Sequence, residues 1–402
     1  MRLPERRLAS GAMPSSSSRP PGFGVIWTTV AMDLVGFGII IPVLPLYAED
    51  FGASPLLAAA LLAAFSAAQM VAAPLWGRLS DRIGRKPVLI AALIGSALGS
   101  LVTGLAGVLW VLFAGRLLDG ASGSSYAVGQ AAVADMAEPQ DRPRLLGLLA
   151  AAFGVGFVVG PLLGSFAALG GRQLPFFIAS GLAAVNALVA LVRLPNQKPV
   201  ATAKSSQKFF SGLKDSAGQV RRLALLALIA MVAFAGFEAT FALFLERRFP
   251  QLDDPSVYGL FALIGLGLVL VQTRVVGPVN ARMDSFSVLR LALGLMAMGM
   301  ALLAMGGAWV GLTLALVALV LGQGLFNPSL SAATVTAVGQ TRRGAALGVQ
   351  QSAGALGRVA GPLLAGVLFS RASTEAPYWV AALLAVVAVG LVPAEVKSNS
   401  AS

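Results

Sequence analysis

The chain has 402 residues, of which 57% are hydrophobic and only 11% charged, with a formal net charge of +12 and a mean hydropathy of +0.82. A water-soluble domain carries roughly 25% charge, so an ordinary soluble fold is excluded and lipid becomes the solvent for most of the chain. Cys and His are both absent, which excludes disulfides, thiolate metal sites and histidine-based proton transfer and leaves any proton handling near neutral pH to carboxylates.

In chain order, residues 1–23 read as a basic, disordered cytoplasmic tail without an apolar stretch of signal-peptide type. Spans of about 20 residues are then predicted at 24–47, 56–77, 87–106, 108–134, 145–169 and 174–194, which form an N-terminal six-helix bundle over 24–194. A basic cytoplasmic linker follows at 195–221, with Lys198, Lys204, Lys208 and Lys214 among Ser, Gln and Gly. Its charge suits a short amphipathic segment lying on anionic headgroups. The C-terminal bundle, 222–394, holds spans at 222–245, 257–279, 286–306, 309–336, 344–369 and 377–394, and 395–402 is a second cytoplasmic tail. The fold expected is therefore all-α and polytopic, with twelve transmembrane helices in two six-helix repeat bundles. Forty-six glycines without a three-residue period support close helix packing in lipid.

Charge orients this arrangement. Lys and Arg cluster in the tails, the linker and the 2–3, 4–5, 8–9 and 10–11 connections, all on one side of an even number of spans. Only Arg172, Arg247, Arg248 and Arg371 fall in opposite loops, and Arg116 and Arg358 fall inside spans. The bias places both termini in the cytoplasm and reads as membrane orientation rather than a nucleic-acid footprint. A multi-pass protein of the cell inner membrane, in contact with lipid and with no nucleic-acid partner, is the expectation.

The halves repeat. Gly147, Gly156, Gly160 and Pro161 recur about 200 residues later as Gly348, Gly357, Gly361 and Pro362, so that GPLLG at 160–164 is echoed by GPLLA at 361–365. Internal repeats of this kind underlie alternating access, in which two bundles rock about a central site.

Five charges lie where lipid disfavours them: Asp33, Arg116, Asp119, Glu238 and Arg358. Each costs several kcal/mol unless paired or wetted, which makes them candidates for function, with static ion pairing as the alternative. Asp33 sits about ten residues into the first span, roughly 15 Å along the helix. Glu238 is near the middle of the seventh, its repeat counterpart, among Phe234, Phe237, Phe241 and Phe244. Both carboxylates are expected to face one cavity, where a buried acid can exchange a proton against a cationic solute. Arg116 does not usefully deprotonate, and holding Asp33 or Asp119 is its expected task. Asp119, three residues on, points broadly the same way. Further polar candidates for the cavity are Gln69, Gln130, Asn186, Gln323, Asn327, Gln350 and Gln351. Gly156, Gly160 and Gly164 make a one-sided stripe suited to close packing, and Pro161 removes a backbone donor.

Three stretches together resemble the major facilitator superfamily, and within it the twelve-span drug:proton antiporters that include tetracycline efflux proteins. They are GRLSDRIGRKP from Gly77 to Pro87 in the 2–3 loop, FAGRLLDGASG at 113–123, and GFVVGPLLGS at 156–165; the first span, DLVGFGIIIPVLPLY at 33–47, is also similar to that subgroup. The second copy of the loop motif, GPVNARMD at 277–284, is degenerate, with Ala281 in place of the counterpart of Asp81. The resemblance implies a cytoplasmic gate built from Gly77, Asp81, Arg82, Gly84, Arg85 and Lys86, in which Asp81 meets Arg358 or the start of the eleventh span and Arg85 meets Asp135. It also implies an exporter motif at Gly156, Gly160, Pro161 and Gly164. The expected function is proton-coupled efflux of amphipathic or cationic small molecules, with export of an endogenous sugar or lysophospholipid, or uncoupled facilitation, as the alternatives. No enzyme activity or cofactor is expected: the sequence holds no metal-ligand cluster, phosphate-cradling loop or nucleophile–base pair. A monomer is expected.

Overall fold

A computed structural model describes residues 20–138, 141–195, 217–306, 309–338 and 343–393. The four linker lysines, Gly307 and Ala308 of the 9–10 turn, and both tails up to Arg19 and from Ala394 lie outside the described residues. Among the described residues the ordered secondary structure is helical, without strands. The helices are α1 Phe23–Glu49, α2 Pro55–Ile83, α3 Arg85–Gly104, α4 Leu109–Ser122, α5 Ser125–Met136, α6 Arg142–Ala168 and α7 Leu174–Arg193 in the first half. The second half has α8 Ala217–Arg248, α9 Asp254–Leu270, α10 Val276–Arg282, α11 Ser285–Ala304, α12 Trp309–Thr336, α13 Arg343–Arg371 and α14 Ala376–Leu391. Ten of the resulting segments are long and apolar enough to cross a membrane, with α14 shorter. The remaining crossing is the broken pair α4–α5. Twelve crossings in two bundles result, as the hydropathy pattern predicts.

Two expectations about continuity change. The fourth span, read as one helix over 108–134, breaks at Gly123 and Ser124, whose backbones leave the helical region. A break in lipid strands backbone carbonyls, and α2 supplies their donors: Gln69 Nε2 donates to the Gly123 carbonyl (2.5 Å) and Trp76 Nε1 to that of Ala121 (2.6 Å). The eighth span widens into a π-turn at Val271–Val275 between α9 and α10, where the Thr273 hydroxyl donates to the Val269 carbonyl. The seventh span also starts earlier than expected, at Ala217, inside the stretch assigned to the linker.

Helix starts follow local chemistry. Ser54 caps α2 ahead of Pro55, Asp253 accepts from the Ser256 amide, and Asp284 accepts from the amides of Phe286 and Ser287 at 2.9 and 3.0 Å. Gly84 separates α2 from α3 at φ 98°, a conformation L side chains rarely adopt.

The repeat is visible as packing. A Cβ on Gly160 would lie 2.6 Å from the Gly38 Cα, and one on Gly156 2.7 Å from the Leu34 carbonyl, so α6 and α1 meet backbone to backbone. In the second half, Gly357 and Gly361 set α13 equally close to Leu228 and Gly236 of α8. The glycines shared between the halves therefore make the same helix pair twice.

The halves meet through α6 against α9, α2 against α13, and α1 against α8. They are closed at one end only. In α2 the buried residues are Ala58 to Phe65 plus Ser80, and in α9 they run from Val257 to Leu268, after which both spans turn largely exposed toward the 2–3 and 8–9 connections.

A cleft with charged walls, closed at one end

Between the halves lies a narrow apolar pocket whose polar side chain is Glu238 of α8. Phe234 and Phe237 flank it on the same helix, Phe261 and Ile264 face it from α9, and Phe157 and Pro161 face it from α6. The rings run on from one another, with centroids 6.0 Å apart for Phe234–Phe237, 4.7 Å for Phe237–Phe241 and 5.4 Å for Phe241–Phe261. Phe241 itself is fully buried and backs the wall rather than lining it, and Phe244 turns away to stack on Tyr378.

Arg358 of α13 is expected from the family pattern at the gate with Asp81. In this open conformation Asp81 is held by Arg85, and the charge of Arg358 acts on Glu238 of its own half and on Tyr126 of α5 in the other. Tyr126 in turn accepts a hydrogen bond from Gln130 Nε2 (3.1 Å). Gln350 accepts from the Thr334 hydroxyl and Asn327 is exposed on α12.

Asp33 is half-buried on α1 and accepts from the hydroxyl of Ser125, the first residue after the break in the fourth span. The two carboxylates expected in one cavity are thus held differently: Glu238 lines the pocket between the halves, whereas Asp33 is tied to the broken span of its own half. Arg116 is fully buried and binds Asp119 at 2.7 Å, which decides between its two candidate partners. Ser96 donates to the other Asp119 oxygen (2.6 Å), and the guanidinium lies 4.6 Å from the centre of the Phe65 ring. Its Nε and Nη2 have no hydrogen-bond partner.

At the hairpin end, Arg85 bridges Asp81 (2.5 Å) and Asp135 (2.9 Å) and also reaches Ser80. The Arg85–Asp135 contact matches the family expectation, while Asp81 is held within its own half in this open conformation. Arg82 is exposed, Lys86 half-buried, and Gly77 faces open space.

The opposite end holds a set of residues not singled out from sequence. Arg172, between α6 and α7, binds the Leu46 carbonyl and Asp50 in its own half and crosses to Asp254 (2.6 and 3.1 Å) and Glu246 (3.2 Å) in the other. Nearby, Arg247 crosses to Glu49 (3.0 Å), Ser370 accepts from the Leu56 amide, and Ser165 donates to the Pro255 carbonyl. The hydrogen bond to Asp254 is the main influence lifting Arg172 above the usual guanidinium range. A signal for this clamp did exist: Arg172 and Arg247 are two of the four cations that break the positive-inside pattern. No group of three or more carboxylates able to hold a metal occurs among the described residues.

Twelve crossings in two repeated bundles, a cleft walled by both, and charges inside that cleft define a solute transporter working by alternating access. The chain belongs to the major facilitator superfamily, whose profile matches residues 26–284 and 273–401. It is 30% identical over 360 residues to the class C tetracycline resistance protein of Escherichia coli, covering 87% of this chain and 90% of that one. It is 25% identical over 377 residues to multidrug resistance protein 2 of Bacillus subtilis (strain 168), covering 92% and 94%. In fold it is similar to the human organic anion transporter MFSD10 (TETRAN), with TM-score 0.70, 24% identity and coverage of 92% and 99%. The nucleoside transporter NupG gives TM-score 0.75 at 14% identity, covering 92% and 98%.

Proposed function

We propose that the chain exports amphipathic, drug-like small molecules across the inner membrane in exchange for protons, with both termini in the cytoplasm. Tetracycline and multidrug resistance proteins among its relatives support drug efflux. The observation that carries proton exchange is Glu238, one carboxylate in an otherwise aromatic and aliphatic pocket between the halves. In an empty apolar pocket the neutral acid is favoured; an arriving cationic group favours the carboxylate and expels the proton. Asp33, held by Ser125 at the helix break, is the second acid able to take part. Arg116 and Asp119 form a buried pair that keeps a guanidinium beside the first-half wall without exposing it. The closed Arg172 end and the open hairpin end define the cargo-receiving state.

Proton release tests this reading. Adding a fluorescent tetracycline to purified, weakly buffered protein should acidify the medium, and Glu238→Gln should abolish or strongly reduce the effect. Binding without any proton release in the wild-type protein would refute exchange.

A further inference from the structure

Most of the uncharged polar side chains expected at the cavity are spent on helix contacts. Gln69 donates to the Gly123 carbonyl, Asn186 donates to that of Thr29 (2.8 Å), and Gln350 accepts from Thr334. Gln323 of α12 is different. It is 6% exposed, and its Oε1 is buried without a hydrogen-bond partner. A carbonyl stranded in this way destabilises the fold that holds it, so its position calls for a role.

Its surroundings indicate that role. Gln323 is the polar member of an otherwise apolar seam, to which α8 gives Phe234 and Phe237, α9 gives Ile264 and Leu268, and α12 itself gives Leu316 and Val320. Phe234, Phe237, Ile264 and Leu268 also line the Glu238 pocket, so these four residues form the partition between the two. The seam has no room for a water, which leaves the carbonyl to a group that cargo brings. Close packing fixes the rotation of α12 at this point. A Cβ on Gly322 would lie 2.7 Å from the Ala292 carbonyl oxygen of α11, and one on Gly324 2.6 Å from Val271 Cγ1. Asn327, one turn on toward the hairpin end, continues the stripe of Leu316, Val320 and Gln323 at helical spacing and is exposed. This face of α12 therefore runs from the seam out into the open end of the cleft.

We propose that Gln323 is a specificity-determining residue for the cargo, accepting a hydrogen bond from an N–H or O–H group on an apolar ring that enters the seam past Phe234 and Phe237. This rests on the efflux reading of the same cleft and narrows it to amphipathic molecules whose apolar body carries a hydrogen-bond donor. Glu238 answers to charge on one side of the partition, and Gln323 answers to the donor on the other. Cargo with a donor pairs the stranded Oε1, whereas an analogue without one buries apolar area and leaves that oxygen unpaired. A buried polar group of this kind rejects the analogue that lacks its partner.

The test compares two rhodamine methyl esters with the same ring system and the same positive charge, one with unsubstituted amino groups and one with both amino groups dimethylated. Equilibrium binding to purified protein in detergent is measured by fluorescence anisotropy. The wild-type protein should favour the unsubstituted dye. Gln323→Met keeps the length and bulk of the side chain, so discrimination by size persists while the acceptor is lost. The preference should then fall by about twofold to about tenfold, the net worth of a hydrogen bond. Without dye, this variant should melt no lower than wild type, because it removes a stranded carbonyl. A preference unchanged in Gln323→Met, equal weakening of both dyes, or a wild-type protein that shows no preference overturns the proposal. So does a lower melting temperature of the unliganded variant, which would assign the carboxamide to holding the helices together. Binding needs no gradient, so preference for the donor-bearing dye without transport of either dye in proteoliposomes would sink the efflux reading alone.

Discussion

Removing Arg172 should open the closed end of the transporter. Its side chain, 23% exposed, places three hydrogen bonds on two carboxylates of the opposite half. Charge-assisted hydrogen bonds contribute about 1.5–3 kcal/mol each when well buried, but exposed ion pairs contribute only about 0.2–1 kcal/mol. Glu246 is 37% exposed and Asp254 28%, so the lower figures weigh more heavily. A cross-half contribution of about 1–2 kcal/mol follows, which corresponds to a shift of about fivefold to thirtyfold in the ratio of the two end states. The chain contains no cysteine, so spin labels at Leu169→Cys and Gln251→Cys, both exposed and on opposite halves of this end, report the gap directly. Arg172→Gln should raise the ratio of long-distance to short-distance populations by that factor, and raising the salt should produce a smaller shift the same way that is larger in the wild-type protein than in the variant, which keeps the Arg247–Glu49 pair. An unchanged distance distribution in the variant, under conditions where both distances are visible in wild type, would refute the clamp.

Other perturbations separate packing from polar satisfaction. Gly160→Ala should lower the melting temperature in detergent, with a cost of about 1–3 kcal/mol, because the new methyl meets the Gly38 backbone; Gly147→Ala, which faces open space, should leave it unchanged. Trp76→Phe leaves the Ala121 carbonyl at the helix break without its donor and should cost about 1–3 kcal/mol by the same melt. Asp284→Ala removes the cap of α11 and should cost about 1 kcal/mol at pH 7. The Asp284 carboxyl lies below its ordinary value, chiefly because of its hydrogen bond with Ser287. Its contribution is therefore complete above about pH 3.9 and is lost as pH falls below that, so the melting difference between D284A and wild type should shrink in acid.

Much of this architecture was readable because lipid enforces it. A chain that must hide every backbone polar group in helices announces its spans by length and hydropathy, and the charge bias counts them. The recurrence of Gly156 and Gly160 as Gly357 and Gly361 identified the equivalent helices, since only a backbone-to-backbone approach makes glycine necessary there. Pairings were less legible. Whether Arg116 holds Asp33 or Asp119 depends on how α1 is rotated against α4, which no spacing within one helix reveals. The break at Gly123 was missed because its carbonyls are satisfied by Gln69 and Trp76, more than forty residues earlier in the chain, so the apolar run looks uninterrupted. For Arg358 the resemblance gives only a position along the eleventh span, whereas its surroundings in this open conformation are set by how α13 packs on α8. The Arg172 clamp joins four loops or helix ends, and sequence carried only its anomaly, a cation on the side where cations are scarce.

Proton-driven export through the Glu238 pocket is tested most directly in proteoliposomes containing the purified protein and a fluorescent tetracycline. Under an imposed pH gradient, the wild-type protein should accumulate the drug against its concentration gradient on the acidic side, and dissipating the gradient should end accumulation. Glu238→Gln should still bind drug but should equilibrate it without accumulation, whatever the pH gradient. Accumulation by the wild-type protein that is indifferent to the gradient, or undiminished accumulation in the E238Q variant, would contradict the assignment of Glu238 as the coupling acid.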